Sequence, residues 1–249
     1  MYLFRNPGLP WFAVSLLYVA LQPLWGLAAA WAAGWSGRSR ALLAAVRREP
    51  YGSWLQILGR ALYSLVLPYG ALLLGLADAR RLGLAGLPYW PQLPVGALVG
   101  LAGVALLAWS WGRVAAVSYR SSGRHRLFQA EWQAFHTPWG WAMLVLEVIC
   151  LQMSWALVRG AATRLFGLYA GVFLGLALPA AAWLLRPGRA AGLAEPEPRA
   201  KALLIAGLAI VTALAFLYGE NLWLCAAVHG LGLVAATLAA GRAYAEAEA

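Results

Sequence analysis

Apolar residues in this chain come in long uninterrupted runs rather than in the short alternations of strands or the narrow stripes of soluble helices. Seven such runs stand out, near residues 11–33, 54–76, 93–117, 141–160, 164–185, 201–218 and 221–240. At 1.5 Å of rise per residue, about 20 apolar residues cover a hydrocarbon core about 30 Å thick. The pattern therefore predicts an all-α, polytopic transmembrane bundle of about seven spans. Breakers separate the runs: Arg-Glu-Pro-Tyr-Gly at 48–52, Gly-Leu-Pro at 86–88, a polar stretch at 119–139 and Pro-Gly at 187–188. The segment Glu195-Pro-Glu-Pro-Arg199 reads as the clearest linker, because two prolines oppose a helix there. No repeat and no polar segment large enough to fold alone is visible, so residues 1–249 read as one integral membrane domain.

Charge then orients the spans. The chain has 249 residues, 63% hydrophobic and 11% charged, with 19 Lys+Arg against 9 Asp+Glu and a net charge of +10. Basic residues near span ends resist translocation. Arg38, Arg40, Arg47, Arg48, Arg113, Arg120, Arg124, Arg126, Arg186, Arg189, Arg199, Lys201 and Arg242 all fall on one side. Arg5, Arg80, Arg81, Arg159 and Arg164 fall on the other, and Arg60 lies inside the second span. The expected topology has the N-terminus outside and the C-terminus cytoplasmic, in the cytoplasmic (inner) membrane; an eighth, re-entrant or interfacial element would change the parity. The first run exceeds the 7–15 apolar residues of a signal peptide and reads as a retained span. Spread along one membrane face, the arginines suit anionic lipid headgroups rather than nucleic acid. Arg120-Ser-Ser-Gly-Arg-His-Arg126 is the best headgroup candidate, beside the plainer reading of a solvated loop. Cys150 and Cys225 both lie in spans and read as small apolar packing residues.

Residue supply excludes many membrane chemistries for a chain acting alone. Asp78 is the only aspartate, too few for an aspartyl protease dyad or for magnesium–diphosphate chemistry. No His-Glu pair occurs for a zinc protease helix. Lys201, the only lysine, ends a span rather than sitting at Schiff-base depth, and only His229 of three histidines lies at membrane depth for a haem. Ser121-Ser122-Gly123 lacks the leading glycine of a rhomboid-type nucleophile. No cofactor or metal is implied.

Polar residues within spans are costly and hence informative. The fourth run carries Glu147, Gln152, Ser154 and Arg159. Gln152, Trp155 and Arg159 share one helical face, while Glu147 and Ser154 share another, about 10 Å apart along the axis. His229 lies nine residues beyond Glu220, about 13 Å deep. Glu147 and His229 approach the midplane from opposite sides and form a geometrically feasible acid–base pair. Each has a structural reading too: a helix-to-helix hydrogen bond. Gly167-x-x-x-Gly171-x-x-x-Gly175 and Gly96-x-x-x-Gly100 let helix backbones approach closely. Trp11, Trp54, Tyr89, Trp90, Trp141 and Trp223 fit interfacial belts.

The most specific text is Gly219-Glu220-Asn221-Leu222-Trp223, followed after five residues by His229-Gly230-Leu231. It resembles the third motif of the CPBP superfamily, the CAAX-processing and bacteriocin-protection (Abi-like) intramembrane proteases. That resemblance implies an all-helical membrane bundle in which a glutamate activates water beside His and Asn. It covers about the C-terminal half, from Trp141 onward. Arg159-Gly160 matches the end of the family's first motif, but the two glutamate positions hold Ser154 and Trp155. The second motif, Phe-x-x-x-His, has no counterpart between them: Phe173 is followed by Ala177, and Trp132-Gln-Ala-Phe-His136 comes too early. The Asn or Asp expected after His229 is Gly or Leu.

Three functional readings follow. One is a CPBP-like membrane factor that has lost the glutamate-dependent protease activity and binds a lipid, an isoprenoid, a hydrophobic peptide or a partner helix. Another is a divergent intramembrane hydrolase using Glu147 and His229, with Arg159 orienting a carbonyl or carboxylate. The last is a small lipid or solute carrier.

Overall fold

The computed structural model describes residues 8–35, 58–59, 61–84, 91–122, 127–137, 139–185 and 192–248. Arg5, the first-loop arginines at 38, 40, 47 and 48, Arg60, Arg124, Arg126, Arg186 and Arg189 lie outside them, as do Trp54, Tyr89 and Trp90. The described residues are helical, with no strand among them. In chain order they form α1 (Gly8–Trp35), a π-helical turn (Leu62–Val66) running into α2 (Leu67–Leu73), and α3 (Ala79–Leu82). Then come α4 (Leu93–Ser122), α5 (Gln129–Phe135), α6 (Gly140–Phe166), α7 (Leu168–Leu184), α8 (Pro196–Gly219) and α9 (Leu222–Glu248). Four of these, α4, α6, α8 and α9, are long and apolar enough to cross a membrane. Shorter apolar helices occupy Gly8–Leu21, Leu62–Leu73 and Leu168–Leu184.

Three local expectations change. Glu195-Pro-Glu-Pro-Arg199 is no linker: Glu195 is the N-cap of α8 and both prolines fall in its first turn. There the backbone N–H groups have no intrahelical acceptor, so proline loses nothing, and its fixed φ suits a helix start. The polar stretch 119–139 is no simple break either, since α4 runs on to Ser122 and α5 forms within it. Gly167, read as the first rung of a packing ladder, is instead the turn between α6 and α7, with φ +81°. A side chain there would be strained, so α6 continues to Phe166, beyond the break expected near 160–164.

The chain forms two compact units, residues 1–78 with 153–190 and residues 79–152 with 191–249. In the second, α4 runs antiparallel to α8 and parallel to α9, and glycines fix the register. A Cβ on Gly96 would sit 2.8 Å from the Ala215 carbonyl and 3.0 Å from Gly219 Cα. One on Gly103 would meet Val211 and one on Gly207 would meet Leu107; on the other side Gly100 faces Val228 and Gly232 faces Leu208 and Val104. Val104, Val211 and Val228 form one apolar core at this contact. A second core, with Trp111, Leu127, Phe128, Leu204, Leu208 and Tyr244 among its members, gathers where α4 and α9 end and α8 begins.

The turn joining α8 to α9 is built from the motif noted above. Gly219 permits the approach to Gly96, Glu220 takes a left-handed conformation (φ 42°), and its N–H bonds to the Phe216 carbonyl at 2.8 Å. Asn221 Oδ1 then accepts from the Leu224 N–H at 2.9 Å, capping α9. Gly83, with φ +79°, completes this end by accepting from the Leu222 N–H at 2.9 Å.

In the first unit, Gly171 and Gly175 of α7 pack on the α6 backbone at Thr163 and Arg159, as the ladder reading expected. The face of α1 bearing Ser15 and Tyr18 meets α6: Ser15 Oγ donates to the Leu157 carbonyl at 3.3 Å, and the Tyr18 and Ser154 hydroxyls are 2.6 Å apart. Tyr63, in the π-helical turn, stacks on Tyr18 at 4.5 Å and donates its hydroxyl to the Tyr18 carbonyl. Pro68 has no N–H for the Ser64 carbonyl, which accounts for a departure from the α-helical ladder at this point.

Gly96→Val is expected to lower stability by about 1–3 kcal/mol, because a backbone carbonyl rather than a flexible side chain stands in the way. Thermal unfolding in detergent checks this. An unshifted midpoint would mean that the α4–α8 contact does not set the bundle.

Candidate functional site

His229 comes from the first third of α9, on the same face as Cys225, whose thiol donates to the Thr212 carbonyl at 3.4 Å. The imidazole is 2% exposed, and its Nδ1 lies 3.0 Å from Gln152 Nε2 of α6. An amide offers both a donor and an acceptor, so the group facing Nδ1 is a neutral hydrogen-bond partner whichever ring nitrogen carries the proton. A catalytic triad instead places a carboxylate at this position, accepting from Nδ1–H and leaving Nε2 as the base. Gln152 is fully buried, and its Oε1 has no hydrogen-bond partner among the described residues. Such an orphan acceptor costs about 1–3 kcal/mol.

The remaining sequence candidates are placed differently. Glu147, on α6, is half-buried. Five residues before Gln152, it lies about 140° around the helix and about 7.5 Å along it, so the face that reaches His229 carries an amide rather than the carboxylate. Arg159 is buried in the first unit, where its backbone supports Gly175 of α7. Ser154, at one glutamate position of the CPBP pattern, uses its hydroxyl on Tyr18. The structure thus joins His229 to Gln152 and Ser154 to Tyr18. Neither pairing was legible, because partners 77 and 136 residues apart meet only through helix packing.

One ion pair outside the apolar span region was also missed. Glu131 of α5 is buried, and its Oε1 lies 2.6 Å from Lys201 Nζ at the start of α8. Leu127 donates its N–H to the Tyr244 hydroxyl at 2.6 Å, and Phe128, left-handed at φ 60°, sets its ring edge-on to Trp111 at 5.1 Å. Together these contacts fold the 127–136 segment onto the ends of α4, α8 and α9. Among the described residues no group of three His, Cys, Asp or Glu side chains is placed to hold a metal.

No family model matches the chain, and no curated protein and no solved structure is significantly similar to it.

Gln152→Leu and His229→Leu are each expected to destabilise by about 1–3 kcal/mol, since each strands a buried polar partner. The double variant should cost less than the sum, with a coupling of about 0.5–3 kcal/mol. Additive losses in unfolding experiments would mean that the pair is not coupled.

Proposed function

We propose that the protein is a seven-span integral membrane protein, N-terminus outside and C-terminus cytoplasmic. It keeps a CPBP-like bundle without the family's proteolysis and binds a hydrophobic ligand, a lipid, isoprenoid chain or partner helix. The observation carrying this reading is the imidazole at membrane depth held by a neutral amide. A water-activating site needs a base, and loss of a positioned base typically forfeits 10²–10⁴-fold in rate. Gln152 cannot supply one. Ser154 is engaged with Tyr18 where the family pattern calls for a carboxylate. The four long apolar helices, together with the three shorter apolar ones at the remaining expected spans, support the span count.

In nanodiscs, the purified protein should leave prenylated and transmembrane peptides intact while retaining hydrophobic ligands measurably by native mass spectrometry. Cleavage that disappears in Glu147→Gln or His229→Ala would establish the hydrolase reading instead. A C-terminal reporter is expected to be active on the cytoplasmic side; activity outside would overturn the orientation.

A further inference from the structure

In the second unit the glycine contacts allow positions on α4, α8 and α9 to be compared by height. Gly96 meets Gly219, Gly103 meets Val211 and Leu107 meets Gly207, so Arg113 of α4 stands level with Lys201 of α8. Gly100 meets Val228, Val104 meets Gly232 and Gly112 meets Ala239, which brings Arg113 level with Gly241 and Arg242 of α9. Three basic residues from three helices therefore share one height. Between Leu93 and Arg113 α4 carries no charge over about 30 Å of rise, the thickness of a hydrocarbon core.

The aromatic residues of the α5 region fall at the same end. Trp132 lies over Gly241, where an added Cβ would come within 2.9 Å of its ring, yet it remains 40% exposed. Trp139 and Trp141, between α5 and the first turn of α6, are 71% and 59% exposed. α4 is itself exposed and apolar along its length, at Leu98, Leu106, Val114 and Val117. Glu131, buried at this height, is committed to Lys201, while Arg113 and Arg242 are exposed. Indole rings favour the boundary between hydrocarbon and water, and guanidinium groups match phosphate oxygens.

We propose that this end of the unit is a phospholipid-headgroup surface. α5 lies in the interfacial layer, Trp132, Trp139 and Trp141 occupy that layer, and Arg113 and Arg242 contact lipid phosphates. The proposal rests on the membrane-spanning reading, and its test separates the two.

Cys150 and Cys225 are buried, so a thiol introduced by Gln133→Cys, or independently by His136→Cys, takes an environment-sensitive fluorophore. In phospholipid nanodiscs its emission should be lost to a headgroup nitroxide and retained with an acyl-end nitroxide or aqueous iodide. Quenching by iodide alone, or by none of the three because another copy or protein covers the site, overturns the proposal. Leu98→Cys, labelled the same way, should be quenched by the acyl-end nitroxide. If it is not, the membrane reading itself fails. Arg113→Gln with Arg242→Gln should reduce the number of phospholipids retained in native mass spectrometry; unchanged retention overturns the phosphate contacts.

Discussion

Backbone contact at glycine governs the second unit. Where Gly96 meets Gly219 no side chain intervenes, so the backbones of α4 and α8 come into direct contact there. In a bilayer, apolar side chains gain nothing by leaving lipid for one another, and association depends on dispersion over closely matched surfaces. The contact also removes freedom to slide, because each neighbouring glycine receives a particular side chain: Val211, Val228, Leu107 or Leu208. The height of His229 and the alignment of Arg113 with Lys201 follow from that register.

A different logic operates where polar groups meet. Ser15, Tyr18, Tyr63 and Ser154 satisfy one another or a backbone carbonyl within the first unit. The Gln152–His229 pair is less complete, since the amide oxygen remains without a partner. The amide nevertheless ties α6 to α9 at the imidazole.

The architecture was legible wherever one physical requirement dominated. Twenty apolar residues in a row have few alternatives to a membrane helix, and all four long apolar helices lie where apolar runs were read. Gly171 and Gly175 were legible as close-packing positions because small residues at that spacing serve little else in a span. The prolines at 196 and 198 misled because proline opposes a helix interior but suits its first turn, and sequence alone did not locate that turn. α5 was hidden by its length, since seven residues with a buried glutamate carry no periodic signal and depend on Lys201, Tyr244 and Trp111 for their place. The Gly219–Trp223 text, which carries the family resemblance, also has local structural roles: a close approach at Gly219, a left-handed turn at Glu220 and a helix cap at Asn221. His229 is not explained by that turn, and the case for a site rests on it.

Neither unit is a continuous stretch of chain, and α6 contributes residues to both. This sets an order of assembly during synthesis. The Tyr18 hydroxyl of α1 meets its partner only after a further 136 residues have been made. At ribosomal rates of about 5–20 residues per second, that delay is on the order of 10 s. Through it the first helix must persist without Ser154 or the Leu157 carbonyl as partners.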